Sequence, residues 1–500
     1  MIRRLLAGAA LSALAACSMQ PAYQRPAAPV PPAFPSGDAY LAQSEAGLPI
    51  VSYTQIFRDP RLQAIIEQAL VNNRDLRIAA ANIAATRAQY RIERSALFPE
   101  VTVGGGATIA DRGNSGVNRG IGTGTGGTGT GGTGTTGSGS GVSEVYSVDV
   151  GITAFELDLF GRIRSLSDSA LNQYFATEAA ARATRLTLVG DIATAWLTYA
   201  SDRSLLTIAE QTAASAQRSV SLTRARLEGG IAPRTDLRQA ELILTQAQSD
   251  LVQQKTLLAQ DVNALQLLVG APIDPAQLPT SIEQAAGTLS EVPAGLDSTV
   301  LLRRPDVVQA EYQLRSANAD IGAARAELFP RISLTGVLGL ASTALGSLFS
   351  GDAFNWSVSP NVDYSIFRAG AGRANVRLTE AQRDAAVATY ELAIQTAFRE
   401  VSDGLARRGT IAEQLRADTA QVAASQDNFT LTDARYRGGI DTFLASLDAQ
   451  RSLYQSQRTL VATRLTQATN LVTLYRTLGG DAQIVATENG PVPVGDQPQS

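Results

Sequence analysis

Residues 225–231 read Ala-Arg-Leu-Glu-Gly-Gly-Ile, and residues 434–440 read Ala-Arg-Tyr-Arg-Gly-Gly-Ile, 209 positions later. The same offset carries Leu268-Val269-Gly270 onto Thr477-Leu478-Gly479. Further out, Ala96-Leu97-Phe98-Pro99 returns as Glu327-Leu328-Phe329-Pro330 at an offset of 231, the excess coming from a Gly/Thr/Ser-rich insertion over 104–141. Residues 155–162 (FELDLFGR) have their counterpart in 364–370 (YSIFRAG). Matches in a fixed order are the mark of an internal duplication. Each copy reads helix, hairpin, very long helix, Gly-Gly turn, helix.

Before each Gly-Gly pair, residues 162–228 and 369–437 contain no proline and no adjacent glycines. A helix over either span would be about 100 Å long at 1.5 Å per residue. After the first pair, Leu237, Leu244, Leu251, Leu258 and Leu265 recur every seven residues, and Leu453, Leu460 and Leu474 keep that register in the second copy. A seven-residue apolar repeat makes helices supercoil around their neighbours.

The hairpins alternate instead. Strands are expected at about 99–108, 144–156, 330–341 and 353–366. Val101 and Val103 open the first, and Val148, Val150 and Ile152 hold one parity in the second until it shifts at Phe155. Ile332, Leu334, Leu338 and Leu340 alternate with Gly336 in the gap; Phe354, Trp356, Val358, Val362, Tyr364 and Ile366 share a parity with Pro360. Such alternation fits an outer-membrane barrel strand, and equally an antiparallel sheet packed on a core. Four strands cannot close a barrel, for which about eight is the practical minimum. An open sheet in lipid leaves unpaired edges, so a barrel would have to be shared between subunits by cyclic symmetry.

Arg3 and Arg4 precede an apolar run over 5–16 that ends in Leu14-Ala15-Ala16-Cys17. The run suits a signal-peptide core and is too short to span a hydrocarbon layer of about 30 Å. Its end resembles a bacterial lipobox, which implies diacylglycerol and an N-acyl chain (palmitate) on Cys17, and Ser18 implies delivery to the outer membrane. The alternative is a lone buried cysteine. The division is then a signal peptide 1–16, a lipid-anchored Pro-rich tether 17–50, a first repeat 51–270, a linker 271–303, a second repeat 304–480 and a flexible tail 481–500.

Composition closes several routes. The chain has no histidine and a single cysteine, which removes the usual general base, thiolate metal sites and any intrachain disulfide. A formal charge of −4 gives no general attraction to nucleic acid. Glu156 and Asp158 could in principle act as acid and base, but no histidine or metal constellation accompanies them, and the chain is read as no enzyme.

Residues 155–162 (FELDLFGR), 301–307 (LLRRPDV), 326–336 (AELFPRISLTG) and 435–451 (RYRGGIDTFLASLDAQR) together resemble the TolC-like outer-membrane factor family, and most closely its NodT/OprM-type lipoprotein branch. The resemblance implies a fold of mixed all-α plus membrane β-barrel type: a homotrimer with a twelve-stranded barrel continuous with a twelve-helix periplasmic α-barrel. Residues 271–303, together with both chain ends, would form an equatorial belt. It implies a passive exit duct for drugs, solvents or metals, working with a periplasmic adaptor and an inner-membrane pump of the resistance-nodulation-division type, without cofactor or metal. An exit duct for type I protein secretion and a structural coiled-coil lipoprotein are the other readings. By the same resemblance Asp448 would line a periplasmic gate with Arg451 and Tyr436, and the turns at Gly229, Gly230, Gly438 and Gly439 would meet the adaptor. Some family members carry a second acid where this chain has Ala445 and a base where it has Asp441. Against these roles, Asp448 and Arg451 could be an ordinary solvated pair and the glycines mere turn formers.

Overall fold

The computed structural model describes residues 19–40, 52–111, 142–291 and 297–494. The first copy holds α1 (Pro60–Asn72), α2 (Arg74–Ser95), β1 (Val101–Asp111), β2 (Val142–Glu156), α3 (Arg162–Glu228) and α4 (Arg234–Val269). A short helix α5 (Ile282–Gly287) lies in the linker. The second copy holds α6 (Pro305–Ala326), β3 (Arg331–Ser342), β4 (Phe354–Asp363), α7 (Ala371–Arg437) and α8 (Phe443–Thr477), and β5 (Ile484–Thr487) and β6 (Gly490–Pro493) follow. Cys17 and most of the Gly/Thr-rich insertion lie outside the described residues. By its contacts the chain forms two compact units, one of residues 1–24, 86–173 and 314–385, the other of 25–85, 174–313 and 386–500.

The first unit carries an antiparallel sheet in the order β1-β2-β3-β4, with β1 and β4 as its edges. Register aligns Val101–Ile152–Gly336–Val358 and Val103–Val150–Leu338–Trp356 in adjacent rows of one face. The opposite face carries Thr102–Gly151–Val337–Ser357 and Gly104–Asp149–Gly339–Asn355. One face is therefore apolar and the other is mostly polar or glycine. Among the described residues nothing covers the apolar face: Trp356 is 69% exposed, and Val103, Val358 and Val362 are exposed with it. The parity shift in β2 is a bulge between Ile152 and Phe155, with Ala154 at φ 49°. The extra residue returns Phe155 to the apolar face, opposite Leu334.

Behind the bulge, the Asp158 carboxylate accepts from the backbone N–H groups of Ile163 (3.1 Å) and Arg164 (2.9 Å), satisfying donors that the start of α3 leaves open. Glu156 takes both arms of the Arg162 guanidinium at 2.8 and 2.7 Å. The two carboxylates weighed as acid and base thus serve as a helix cap and one half of an ion pair.

The second unit is helical. Leu258 and Leu265 of the α4 heptad and Leu453, Leu460 and Leu474 of α8 are buried, as are Trp196 on α3 and Tyr475 on α8. The linker is pinned to this body. The Trp196 indole donates to the Gln277 carbonyl at 3.1 Å, the Ile282 N–H donates to the Ser204 hydroxyl, and Arg464 pairs with Glu283. Arg304, nearly buried, holds Asp306, Glu400 and the Thr477 carbonyl together. None of the described helices is long and apolar enough to cross a membrane.

One expectation needs correction. The tail from 481 is built structure through Val494: β5 pairs with β6, and the Tyr312 hydroxyl donates to the Thr487 carbonyl while accepting from the Thr487 N–H, both at 2.9 Å. Residues 19–40 of the tether are held by side-chain contacts. Phe34 is buried and stacks on Phe398 at 5.0 Å, Arg25 pairs with Glu311, and the Asn318 side chain donates to the Pro21 carbonyl. A Cβ at Gly322 would lie 2.8 Å from Gln20, and one at Gly409 would overlap the Ala39 carbonyl. These two glycines make the bed of the tether.

The long helices end alike. Gly230 and Gly439 take φ 72° and 75°, in the left-handed region. The N–H of Gly230 donates to Leu227 and that of Ile231 to Arg226; Gly439 donates to Tyr436 and Ile440 to Arg435, at 2.8–3.0 Å. This is the Schellman termination, and it requires only the second glycine of each pair. At Gly229 and Gly438 a Cβ would meet nothing closer than 3.4 and 3.5 Å. Gly230→Ala or Gly439→Ala should therefore cost about 1–2 kcal/mol in local opening. Hydrogen exchange at the Ile231 and Ile440 amides should speed accordingly, while Gly229→Ala and Gly438→Ala leave it unchanged. Equal effects from all four would refute the assignment.

Asp202 on α3 and Asp261 on α4 form a carboxyl pair. Burial, followed by the charge and hydrogen bond of Asp202, pushes the Asp261 carboxyl up to about 6. No donor reaches its buried Oδ2, so a proton shared with Asp202 satisfies both groups. Because the folded value lies above the unfolded one, the stabilisation is present at acid pH and is lost as pH rises through about 6. The thermal midpoint should be higher at about pH 5 than at about pH 8. Asp261→Asn should flatten that difference by raising the midpoint at the alkaline end; a steeper dependence in the variant would contradict it.

Candidate gate at the helical hairpin tips

At the tips, the last turns of α3 and α7 lie beside the first turns of α4 and α8. Tyr436 is 4% exposed, in a small core with Val220, Ala240, Phe443 and Leu447. Its ring packs against Phe443 at 5.3 Å, and the Arg226 guanidinium lies 4.4 Å from the ring centre. Arg226 also donates to the Arg437 carbonyl at 2.9 Å, while the Tyr436 and Thr223 hydroxyls stand 3.4 Å apart. Tyr436 therefore ties the end of one repeat to the end of the other. Cation–π attraction and burial carry that tie, and the long hydroxyl contact adds little.

The other two gate residues are placed differently. Asp448 and Arg451 are exposed, and no ion pair joins them within one chain, so the solvated pair weighed against the gate is not made. Asp441, the noted departure from some family members, takes the Arg435 guanidinium at 2.6 and 3.2 Å, closing the turn on itself. The bond lowers the Asp441 pKa and raises that of Arg435.

A stronger link between the returning helices was missed in the sequence. The Tyr454 hydroxyl on α8 donates to Asp250 on α4 at 2.9 Å, and Gln246 donates to the other Asp250 oxygen at 2.8 Å. Burial, then the Asp250 hydrogen bond, raises the phenol pKa, so Tyr454 remains a donor. The pair lines a groove of about 560 Å3 with Leu242, Gln246, Gln450 and Arg451. The signal was there: Asp250 precedes Leu251 and Tyr454 follows Leu453, both leucines of the heptad seam. Among the described residues, no His, Cys, Asp and Glu side chains gather to hold a metal. The arrangement can latch helices together.

The fold agrees with that of known proteins. A family model described as outer membrane efflux protein matches residues 65–271 and 296–480. The antibiotic efflux pump outer membrane protein ArpC of Pseudomonas putida is 44% identical over 469 residues, 93% of each chain. The solvent efflux pump outer membrane protein SrpC of the same organism is 44% identical over 474 residues, 94% of this chain and 97% of that one. The open state of the Neisseria gonorrhoeae MtrE outer membrane channel superposes with a TM-score of 0.77 at 33% identity, covering 93% of this chain and 99% of the other. With both repeats matched in order, the chain belongs to the outer membrane efflux protein family.

Proposed function

We propose that three copies of this chain close one barrel in the outer membrane and form a passive exit duct for hydrophobic small molecules, antibiotics and organic solvents among them. The observation that carries this reading is the four-stranded sheet, with one bare apolar face and two unpaired edges. Exposing a large apolar side chain to water costs about 1.5–3 kcal/mol relative to burying it, so lipid is the natural environment for that face. Unpaired edges cannot persist in lipid, and three sheets of four strands joined edge to edge leave none. Cys17 would add an acyl anchor. The relatives' names as efflux pump proteins support partnership with a pump; its resistance-nodulation-division type and a periplasmic adaptor belong to this reading by the resemblance of the motifs. The duct itself needs no catalysis, because the pump supplies the energy.

The hairpin tips are the gate in this reading. Ile231 and Ile440 stand 79% and 68% exposed beside bare glycine backbone, a surface suited to an adaptor. Three Asp448 carboxylates around one axis would repel each other, so closure needs holding elsewhere. Tyr436 with Arg226, and Tyr454 with Asp250, supply that hold between repeats. Opening is then a shift between two packings of the same helices.

Deleting the gene should sensitise cells to hydrophobic antibiotics and solvents and make them retain dye, and the intact gene should restore both. Unchanged tolerance with a missing secreted protein would overturn the reading. In the same strain Tyr454→Phe removes a bond to a charged acceptor, worth about 1.5–3 kcal/mol, and should raise the open fraction roughly tenfold or more. Tyr436→Phe should do far less. Entry of a large antibiotic such as vancomycin, and single-channel conductance, read the difference; the reverse order would contradict this latch.

A further inference from the structure

The glycines of the sheet have different reasons for being there. A Cβ at Gly151 would stand 3.0 Å from the Gly336 carbonyl, and one at Gly339 would stand 2.7 Å from the Val148 carbonyl. Those two glycines keep the polar face clear where strands crowd. Gly336 has no such reason. Nothing lies within 4 Å of a Cβ built on it, and its φ is not positive. It sits in the middle of an apolar row, between Ile152 and Val358, on the face that carries Leu338 and Trp356 in the next row. The missing side chain opens a notch of about 370 Å3 walled by Val101, Ile152, Leu338, Trp356 and Val358. The walls are mainly hydrocarbon and the Trp356 indole, with Ser357 also in the lining, so the notch offers chiefly dispersion contact.

We propose that this notch is a seat for one acyl chain of a membrane phospholipid. The inference rests on the outer-membrane barrel reading, which puts this face against the bilayer. A chain lying over Gly336 gains contact on its flanks as well as beneath it, whereas a chain on the neighbouring Val103–Trp356 row touches only side-chain tips. A packed wall on several sides is what separates a held lipid from one that merely passes. The occupant is a bilayer lipid because the notch opens on the sheet surface, where bilayer lipid is in excess.

Trp356 makes the test direct. The chain has two tryptophans, and the other, Trp196, is fully buried in the helical unit. Phospholipid with brominated acyl chains is titrated at low mole fraction into the full-length protein in maltoside micelles, and tryptophan emission is followed. A seat should quench Trp356 several-fold more than the lipid's share of the micelle accounts for. Gly336→Leu, which fills the notch, should reduce quenching to that share, and Gly336→Ala should fall between. Quenching proportional to lipid share in the wild-type protein, or unchanged in both variants, overturns the seat. Excess quenching found only with Cys17→Ser would assign the notch to the chain's own anchor and overturn the bilayer source. No quenching in vesicles made wholly of brominated lipid would instead sink the barrel reading, since Trp356 would not face lipid at all.

Discussion

Every strand edge carries backbone N–H and C=O groups that need partners, and a single copy of this chain leaves two edges open. The same sheet exposes one apolar face along its length. In water the face is costly, and in lipid the edges are. Sharing the edges among copies removes both costs at once, and the rest of the design follows from it. Strands of 10 to 15 residues suit a tilted crossing of the hydrocarbon layer. The bulge at Ala154 keeps Phe155 on the lipid side after the strand has to bend. The Asp158 cap and the Glu156–Arg162 pair then start α3 without leaving its first amides bare.

The helical hairpins show the reverse economy. A Schellman turn needs one glycine, yet each turn has two. The second supplies the left-handed backbone; the first leaves the tip without a side chain beside an exposed isoleucine. Above the turns, the repeats meet through a small apolar core of Val220, Ala240, Phe443 and Leu447 and through two further ties, Arg226 over Tyr436 and Tyr454 on Asp250. In the proposed gate the polar ties are the contacts that can be exchanged at modest cost, while the buried leucines farther along α4 and α8 keep the helices together.

Much of this was legible in the sequence because it is written in local periodicity. Strand parity, the shift at Phe155, the heptad from Leu237 and the paired Gly-Gly turns are all short-range patterns, and family motifs set their order. What escaped is long-range. Gly322 and Gly409 read as ordinary helix glycines until the tether is found lying on them. The final residues looked like a tail because β5 and β6 are short, and their hold on Tyr312 crosses some 175 positions. Asp250 and Tyr454 are separated by 204 positions, and no local rule pairs them. Asp448 and Arg451 lie three positions apart on one helix, yet the solvated pair weighed against a gate there is not made.

The central claim is that copies join β4 to β1 around a closed ring. In a Cys17→Ser background, one cysteine placed on the outer edge of β1 and one on β4, followed by mild oxidation in the membrane, tests it directly. The account predicts cross-linked dimers and trimers, with the trimer as the upper limit and no cross-link when either cysteine is omitted. Monomer alone, or a ladder continuing past three copies, would contradict a closed threefold ring.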